Sequence, residues 1–211
     1  MILIKEDVVG ALQSFLSNFA CPRGLGGRLV LNAMNIGHEK GAKIARGCLQ
    51  WQSNWSCLDI GCGGGRNLQA MLSLCPDGQI CGVDISEAAV QKSLAHNREA
   101  VKNGQLTVLK GDVHQLPFET NRFDMVTAFE TIYFWEQLPQ AFKEVNRVLK
   151  SKGQFLIMME SAAVSSSWAT RVPGMKVPDA KIVRESLIQA GFRSVTLFEN
   201  TDPVIVFLAK K

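Results

Sequence analysis

The chain has 211 residues, enough for one domain with a full core and too few for two ordinary ones. A hydrophobic share of 46% against 20% charged residues is that of a globular protein, and a formal charge of +4 without a dense Lys/Arg block leaves no nucleic-acid footprint. No apolar stretch approaches a membrane span and the segment from Met1 to Asp7 turns acidic too early for a signal peptide, so a cytoplasmic protein without a membrane partner is expected.

In chain order, the first fifty residues carry two apolar stripes at helical spacing. Val8, Leu12, Phe15 and Phe19 form one; Val30, Met34, Gly41, Ile44 and Cys48 form the other. The run Cys21-Pro22-Arg23-Gly24-Leu25-Gly26-Gly27 separates them as a loop. Two amphipathic helices do not bury a core by themselves. Residues 1–50 are therefore expected to pack as a helical lid, within the same domain, on the body formed by residues 51–211.

From Trp55 onward strands and helices alternate. Residues 55–60 read as a strand, and Leu68, Met71, Leu72 and Cys75 stripe the helix after it. Residues 79–84 form a second strand; Ser86 caps a helix with the stripe Val90, Leu94, Asn97 and Val101, in which Asn97 is the one polar member. Strands over 105–110 and 123–129 follow. A helix striped by Leu138, Phe142, Val145 and Leu149 leads to a strand over 154–160. Beyond a Ser/Pro/Gly-rich connection, Val183 and Leu187 mark a helix stopped by Gly191. Strands over 193–199 and 204–209 close the chain as a hairpin through Asn200-Thr201-Asp202-Pro203. The pattern predicts an α/β fold with a doubly wound, mostly parallel sheet. Ligands of such sheets bind beyond the carboxyl ends of the strands.

At the first of those ends stands Leu58-Asp59-Ile60-Gly61-Cys62-Gly63-Gly64-Gly65-Arg66-Asn67. Glycines between a strand and a helix let a ligand lie against backbone amides at the helix N-terminus. The spacing is G-x-G-x-G, and Arg66 stands where the dinucleotide fingerprint needs its third glycine. Asp59 would repel a pyrophosphate but suits a ligand with an ammonium group. A nucleoside joined to an amino acid is S-adenosylmethionine. Asp84 ends the second strand, placed to accept hydrogen bonds from ribose hydroxyls. Gly111-Asp112-Val113 follows the third strand, with a carboxylate for an adenine amino group and a side chain for its ring. The fourth strand ends in Ala128-Phe129-Glu130-Thr131 and then Ile132-Tyr133-Phe134-Trp135, aromatic residues that either wall in an acceptor or pack the core.

With these residues in order, the chain resembles the class I S-adenosylmethionine-dependent methyltransferases of the type 11 kind. The resemblance runs from about Trp55 to Gly153 and through the closing strands. It is carried by the glycine loop, Gly82-Val83-Asp84-Ile85-Ser86, Gly111-Asp112-Val113, Leu116-Pro117-Phe118, Phe123-Asp124-Met125-Val126 and Arg147-Val148-Leu149-Lys150. It implies a seven-stranded Rossmann-like sheet with an antiparallel last strand. It also implies methionine contacts at Asp59, Gly61 and Gly63, with Cys62 and Gly65 in the same loop. Ribose would lie at Asp84, adenine at Asp112 and Val113, and a wall of the site near Glu130, with Ile85 also among the cofactor-binding residues. The stretch from Pro22 to His38, with Gly24-Leu25-Gly26-Gly27-Arg28 and Met34-Asn35-x-x-His38, looks like that of a bacterial subgroup of these enzymes and leaves the acceptor open.

Methyl transfer from a sulfonium needs alignment, exclusion of water, and a base only where the acceptor must lose a proton. Candidates for that base are His38 and Glu130. Asn35 and His38 share a helix face, and with Tyr133 and Trp135 they are the residues expected to touch the acceptor. The Asn/Asp-Pro-Pro-aromatic signature of amide and nucleobase methylases is absent, so a small or medium-sized metabolite is expected as acceptor. A protein side chain, or a protein that binds the cofactor without turnover, are the alternatives. The six cysteines include no C-x-x-C pair, so no metal is expected, and Cys57 and Cys81 read as small hydrophobes within strands.

Overall fold

The computed structural model describes residues 39–161, 169–198 and 204–211. Its strands are β1 (Cys57–Ile60), β2 (Ile80–Asp84), β3 (Leu106–Lys110), β4 (Phe123–Phe129), β5 (Leu149–Glu160), β6 (Ser194–Phe198) and β7 (Val204–Lys210). Its helices are α1 (Glu39–Gly47), α2 (Arg66–Leu74), α3 (Glu87–His96), α4 (Arg98–Lys102), α5 (Leu138–Val148) and α6 (Ala180–Gln189). The strands form one sheet in the order β3-β2-β1-β4-β5-β7-β6. β1 to β5 run parallel, while β7 is antiparallel to both its neighbours. Strand order reverses between β1 and β4, so the crevice of a doubly wound sheet opens beyond the carboxyl ends of these two strands.

The central strands are buried on both faces, as parallel strands flanked by helices must be. On one face Leu58, Val126, Phe155 and Phe207 pack against Phe142 and Val145 of α5 and Val183 and Leu187 of α6. On the other, Cys57, Met125, Leu156 and Val206 meet Ala42 and Ala45 of α1, Leu68 and Met71 of α2 and Val90 of α3. Because side chains alternate along a strand, Asp59 and Thr127 point to the second face, under α1 and α2. The two are direct neighbours in the β1–β4 register.

Two expectations change. The helix read across Ser86 to Val101 is two helices that meet at Asn97, whose side chain leaves the helical pattern to bond backbone carbonyls. β5 begins at Leu149 rather than Gln154, because Lys152 takes φ 70 and the register to β4 shifts between Phe123 and Met125. Of the second N-terminal stripe, Gly41, Ile44 and Cys48 are described. A Cβ at Gly41 would lie 2.8 Å from Val204 Cγ1, so α1 sits hard against the start of β7. The first stripe, Asn35, His38 and the 200–203 turn lie outside the described residues. Among the described residues, no helix is long and apolar enough to cross a membrane.

Candidate functional site

The glycine loop leaves β1 in the left-handed region, with φ 73 at Gly61, 52 at Gly63 and 84 at Gly65. At Gly61 a Cβ would run into the Thr131 hydroxyl, and at Gly65 it would come within 2.5 Å of Asn97 Nδ2, so neither position has room for a side chain. The amides of Gly61 and Cys62 donate to Val83 O at 2.8 and 3.1 Å, which pins the loop to the end of β2. The Cys62 side chain turns into the core beside Gly82 and Leu68, and burial pushes its thiol well up. Gly65 is the N-cap of α2 and supplies no side-chain cap.

Two carboxylates flank this loop. Asp84, 9% exposed, accepts from the Gly63 amide at 2.9 Å and the Ser86 amide at 2.8 Å. Burial pushes its carboxyl up, and the two amides pull it back. Asp59 is 1% exposed. One of its oxygens accepts from Thr127 Oγ1 at 2.6 Å; the other, Oδ2, is buried and has no partner among the described residues. Burial raises its carboxyl to about 7, against the Thr127 hydrogen bond and the Arg46 charge, which favour the anion, while Asp84 adds to the rise. A half-satisfied buried carboxylate costs free energy unless something polar meets it.

Beyond β2 and β3, Ile85 is 53% exposed while Val113 is 7% exposed. Asp112 Oδ1 accepts from the His114 amide at 2.8 Å and pairs with His114 Nδ1 at 2.7 Å. The other ring nitrogen, Nε2, lies 2.7 Å from Glu136 O. Both partners only accept, so the ring carries two protons and ties the loop after β3 to the loop after β4. Burial disfavours this imidazolium, but the Glu136 and Asp112 oxygens outweigh it and raise His114; Asp112 is correspondingly held low by His114 despite burial.

At the end of β4, Glu130 takes φ 57 and its amide donates to Met158 O at 2.9 Å. It is 7% exposed, and its Oε2 accepts from Tyr133 OH at 2.8 Å. Burial pushes its carboxyl to about 8, with Tyr133 opposing and Glu160 adding. The Tyr133 oxygen in turn accepts from the Glu160 amide at 2.5 Å, and burial drives its own proton loss far up. The Tyr133 ring is buried, and Trp135 stacks on Phe155 at 6.5 Å. Trp135 also edges an open groove of about 400 Å³ lined by Ile132, Glu136, Gln137, Leu138, Lys176 and Pro178. Of the four residues expected at the acceptor, Asn35 and His38 lie outside the described residues; Tyr133 is a core residue and Trp135 is partly buried against the same core.

Three contributors were not singled out for the site in the sequence. Asn97 Nδ2 donates to Gly65 O at 3.0 Å and Ser93 O at 3.1 Å, and its polarity in an apolar stripe was the available signal. Thr127 supports Asp59 from a strand that reads as uniformly buried. Arg46 reaches the start of α2 from α1, where its Nη1 donates to Asn67 Oδ1 at 2.5 Å. Only the folded chain brings those helices together.

Residues 58–157 match the sequence model of the methyltransferase domain family. The chain is 32% identical over 109 residues to the demethylmenaquinone methyltransferase of Symbiobacterium thermophilum, covering 51% of this chain and 43% of that protein. It is 32% identical over 96 residues to the malonyl-[acyl-carrier protein] O-methyltransferase of Legionella pneumophila, covering 46% and 33%. The chain thus spans less than half the length of these curated relatives. In fold it is similar to a putative methyltransferase solved with a Haloferax volcanii methyltransferase activator, with TM-score 0.75 and 21% identity over 87% of this chain and 93% of that one. A putative S-adenosyl-L-methionine-dependent methyltransferase of Methanococcus maripaludis gives TM-score 0.68 and 23% identity over 86% and 91%.

Proposed function

We propose that the chain is a class I S-adenosylmethionine-dependent methyltransferase that methylates a small or medium-sized acceptor, a reading supported by the match of residues 58–157 to the methyltransferase domain family. The observation that carries this reading is Asp59 Oδ2, buried and without a partner among the described residues, beside a loop in which Gly61 and Gly65 leave no room for side chains. An ammonium group meets that oxygen, and a nucleoside fits the edge lined by Asp84, Ile85, Asp112 and Val113. The relatives, a demethylmenaquinone methyltransferase and a malonyl-[acyl-carrier protein] O-methyltransferase, support an acceptor other than nucleic acid.

Bound S-adenosylmethionine supplies an electrophilic methyl group. The chain's own residues do the rest. Gly61, Cys62, Gly63 and Gly65 give backbone to the amino-acid half, Asp59 holds its ammonium, and Asp84 accepts from the ribose. Asp112 accepts from the adenine amino group, with Val113 and Ile85 against the ring. Glu130 stands at the acceptor end, one oxygen engaged by Tyr133 and the other left to take a proton from an acceptor that must lose one. Trp135 borders the acceptor end, and Asn35 and His38 remain the N-terminal residues assigned to the acceptor. A cytoplasmic location goes with this reading.

Calorimetric titration of the full chain with S-adenosylmethionine, S-adenosylhomocysteine and NADH tests it. Binding of both sulfur ligands and not NADH, lost in Asp84→Ala with circular dichroism unchanged, is the expected result. No binding of either sulfur ligand to a folded wild type overturns it.

A further inference from the structure

Two thiols meet at the base of the strand-loop-helix unit that carries the glycine loop. Cys57 opens β1, and Cys75, 18 positions later, is the C-cap of α2. Both are buried, and their Sγ atoms lie 3.7 Å apart. That is contact distance between sulfurs, and a disulfide bond of about 2.05 Å needs them to close by roughly 1.7 Å. Cys62, Cys81 and Cys48 are placed otherwise. The first packs beside Gly82, the second faces Arg122 Nη2 at 3.7 Å, and the third donates to Ile44 O at 3.4 Å.

The two thiols are not equivalent. The hydrogen bond between them lowers Cys75, against burial, and raises Cys57, which burial raises further. Cys75 therefore gives up its proton first, and the thiolate is the form that reacts with an oxidant. Cys75 also stands next to the surface. Pro76 and Asp77 after it are exposed, in a turn held by the Asp77 amide on Ser53 O at 2.9 Å and the Gly78 amide on Cys75 O at 3.0 Å. Local opening of that turn uncovers Cys75 while the sheet stays paired. β1 and α2 are already joined at one end by the glycine loop. A bond between Cys57 and Cys75 joins them at the other, and closes a ring around Asp59 and the stretch from Gly61 to Gly65.

We propose that Cys57 and Cys75 form a redox modification site, which a peroxide converts to an intramolecular disulfide that staples β1 to α2. The Cys75 thiolate attacks one peroxide oxygen; the O–O bond breaks, leaving Cys75 as a sulfenic acid and releasing hydroxide. The Cys57 sulfur then attacks the Cys75 sulfur. The S–S bond forms, the S–O bond breaks, and the hydroxyl leaves with the Cys57 proton as water. Two thiols thus lose two electrons and two protons, and one hydrogen peroxide becomes two waters. The step is independent of methyl transfer. A pair that only fills core volume would survive peroxide as two thiols for as long as the chain stays folded.

The test treats the full-length wild type, Cys75→Ala and Cys57→Ala with hydrogen peroxide, then unfolds each in denaturant with iodoacetamide to cap every remaining thiol. Peptides are mapped by mass spectrometry, and melting temperature is read before and after oxidation, with and without dithiothreitol. The wild type is expected to give a cross-linked peptide joining Cys57 to Cys75. Its melting temperature should rise by about 5–12 °C, as closing a ring of this length gives, and dithiothreitol should reverse the rise. Neither variant should show it. Cys57 recovered capped from the oxidised wild type overturns the proposal, as does its cross-link to another cysteine or a cross-linked protein that melts no higher. The wild-type peptide map decides even where a variant fails to fold.

Discussion

Tyr133 gives its hydroxyl proton to Glu130 because its oxygen is already taken by the Glu160 amide. The bond has one direction, so it stabilises the Glu130 carboxylate against the burial that raises it to about 8. Removing the donor takes away the larger of the two hydrogen bonds that oppose burial, the other coming from the Glu160 backbone. Tyr133→Phe is expected to push the Glu130 carboxyl above about 8 and to move the acid limb of the kcat profile to higher pH. Rates measured from pH 6 to 10 on a proton-losing acceptor check this. An acid limb at the wild-type position removes Glu130 from the proposed role.

Glu130 also sets a pH dependence of stability. Its folded carboxyl lies at about 8, above the ordinary value of 4.5, so the folded state holds the extra proton between these values. Stability then falls as pH rises through that window, the reverse of a salt-bridged carboxylate. Glu130→Gln is expected to leave stability at pH 5 nearly unchanged. At pH 8.5 it should raise it by about 1–3 kcal/mol, or roughly 2–12 °C in melting temperature. Thermal melts at the two pH values decide it.

Thr127 does for Asp59 what Tyr133 does for Glu130. Asp59 must be ionised to hold an ammonium, and its carboxyl sits at about 7. Affinity for S-adenosylhomocysteine is expected to rise with pH through that region. Thr127→Val, nearly equal in shape, should displace the rise to higher pH and weaken binding at pH 7 by about tenfold. A pH-independent affinity in the wild type would show that Asp59 does not meet the ligand.

Asn97 holds the glycine loop from behind through Gly65 O and Ser93 O. Asn97→Ala leaves both carbonyls without this donor and is expected to cost about 1–3 kcal/mol in denaturant unfolding. Asn97→Asp puts a charge against two carbonyl oxygens and should cost more. Cofactor affinity should fall in the same order.

His114 makes its two ring contacts only when doubly protonated. Its pKa is raised above the ordinary 6.5, so the tie it forms is complete below that value and is lost as pH climbs past the raised one. Nitrogen-15 NMR of the ring at pH 6.5 should show both nitrogens protonated. In His114→Gln the separation of the Asp112 and Glu136 loops should no longer change between pH 6 and 9.

Much of this arrangement is written in local patterns. The alternation of apolar runs locates every strand to within a few residues except at β5, whose early start depends on a left-handed Lys152 and a shift in register. Asp59, Asp84 and the glycines follow from spacing along one strand-loop-helix unit. Arg46, Thr127 and Asn97 do not, because each acts on a partner 21, 68 or 32 positions away. Their roles depend on which helices and strands meet, and periodicity carries no information on that. Tyr133 is a mixed case: its place beside the site is legible, whereas the direction of its hydrogen bond depends on the end of β5.

The sheet order puts β7 between β5 and β6. During synthesis, therefore, β6 emerges before the strand through which it joins the sheet. Val204–Lys210 fills the place between β5 and β6 and pairs with both. Clipping those seven residues would strip two strands rather than one. It would also unseat α1, whose Gly41 rests on Val204. β7 is thus the latch for α1, and proteolysis at either should loosen both together.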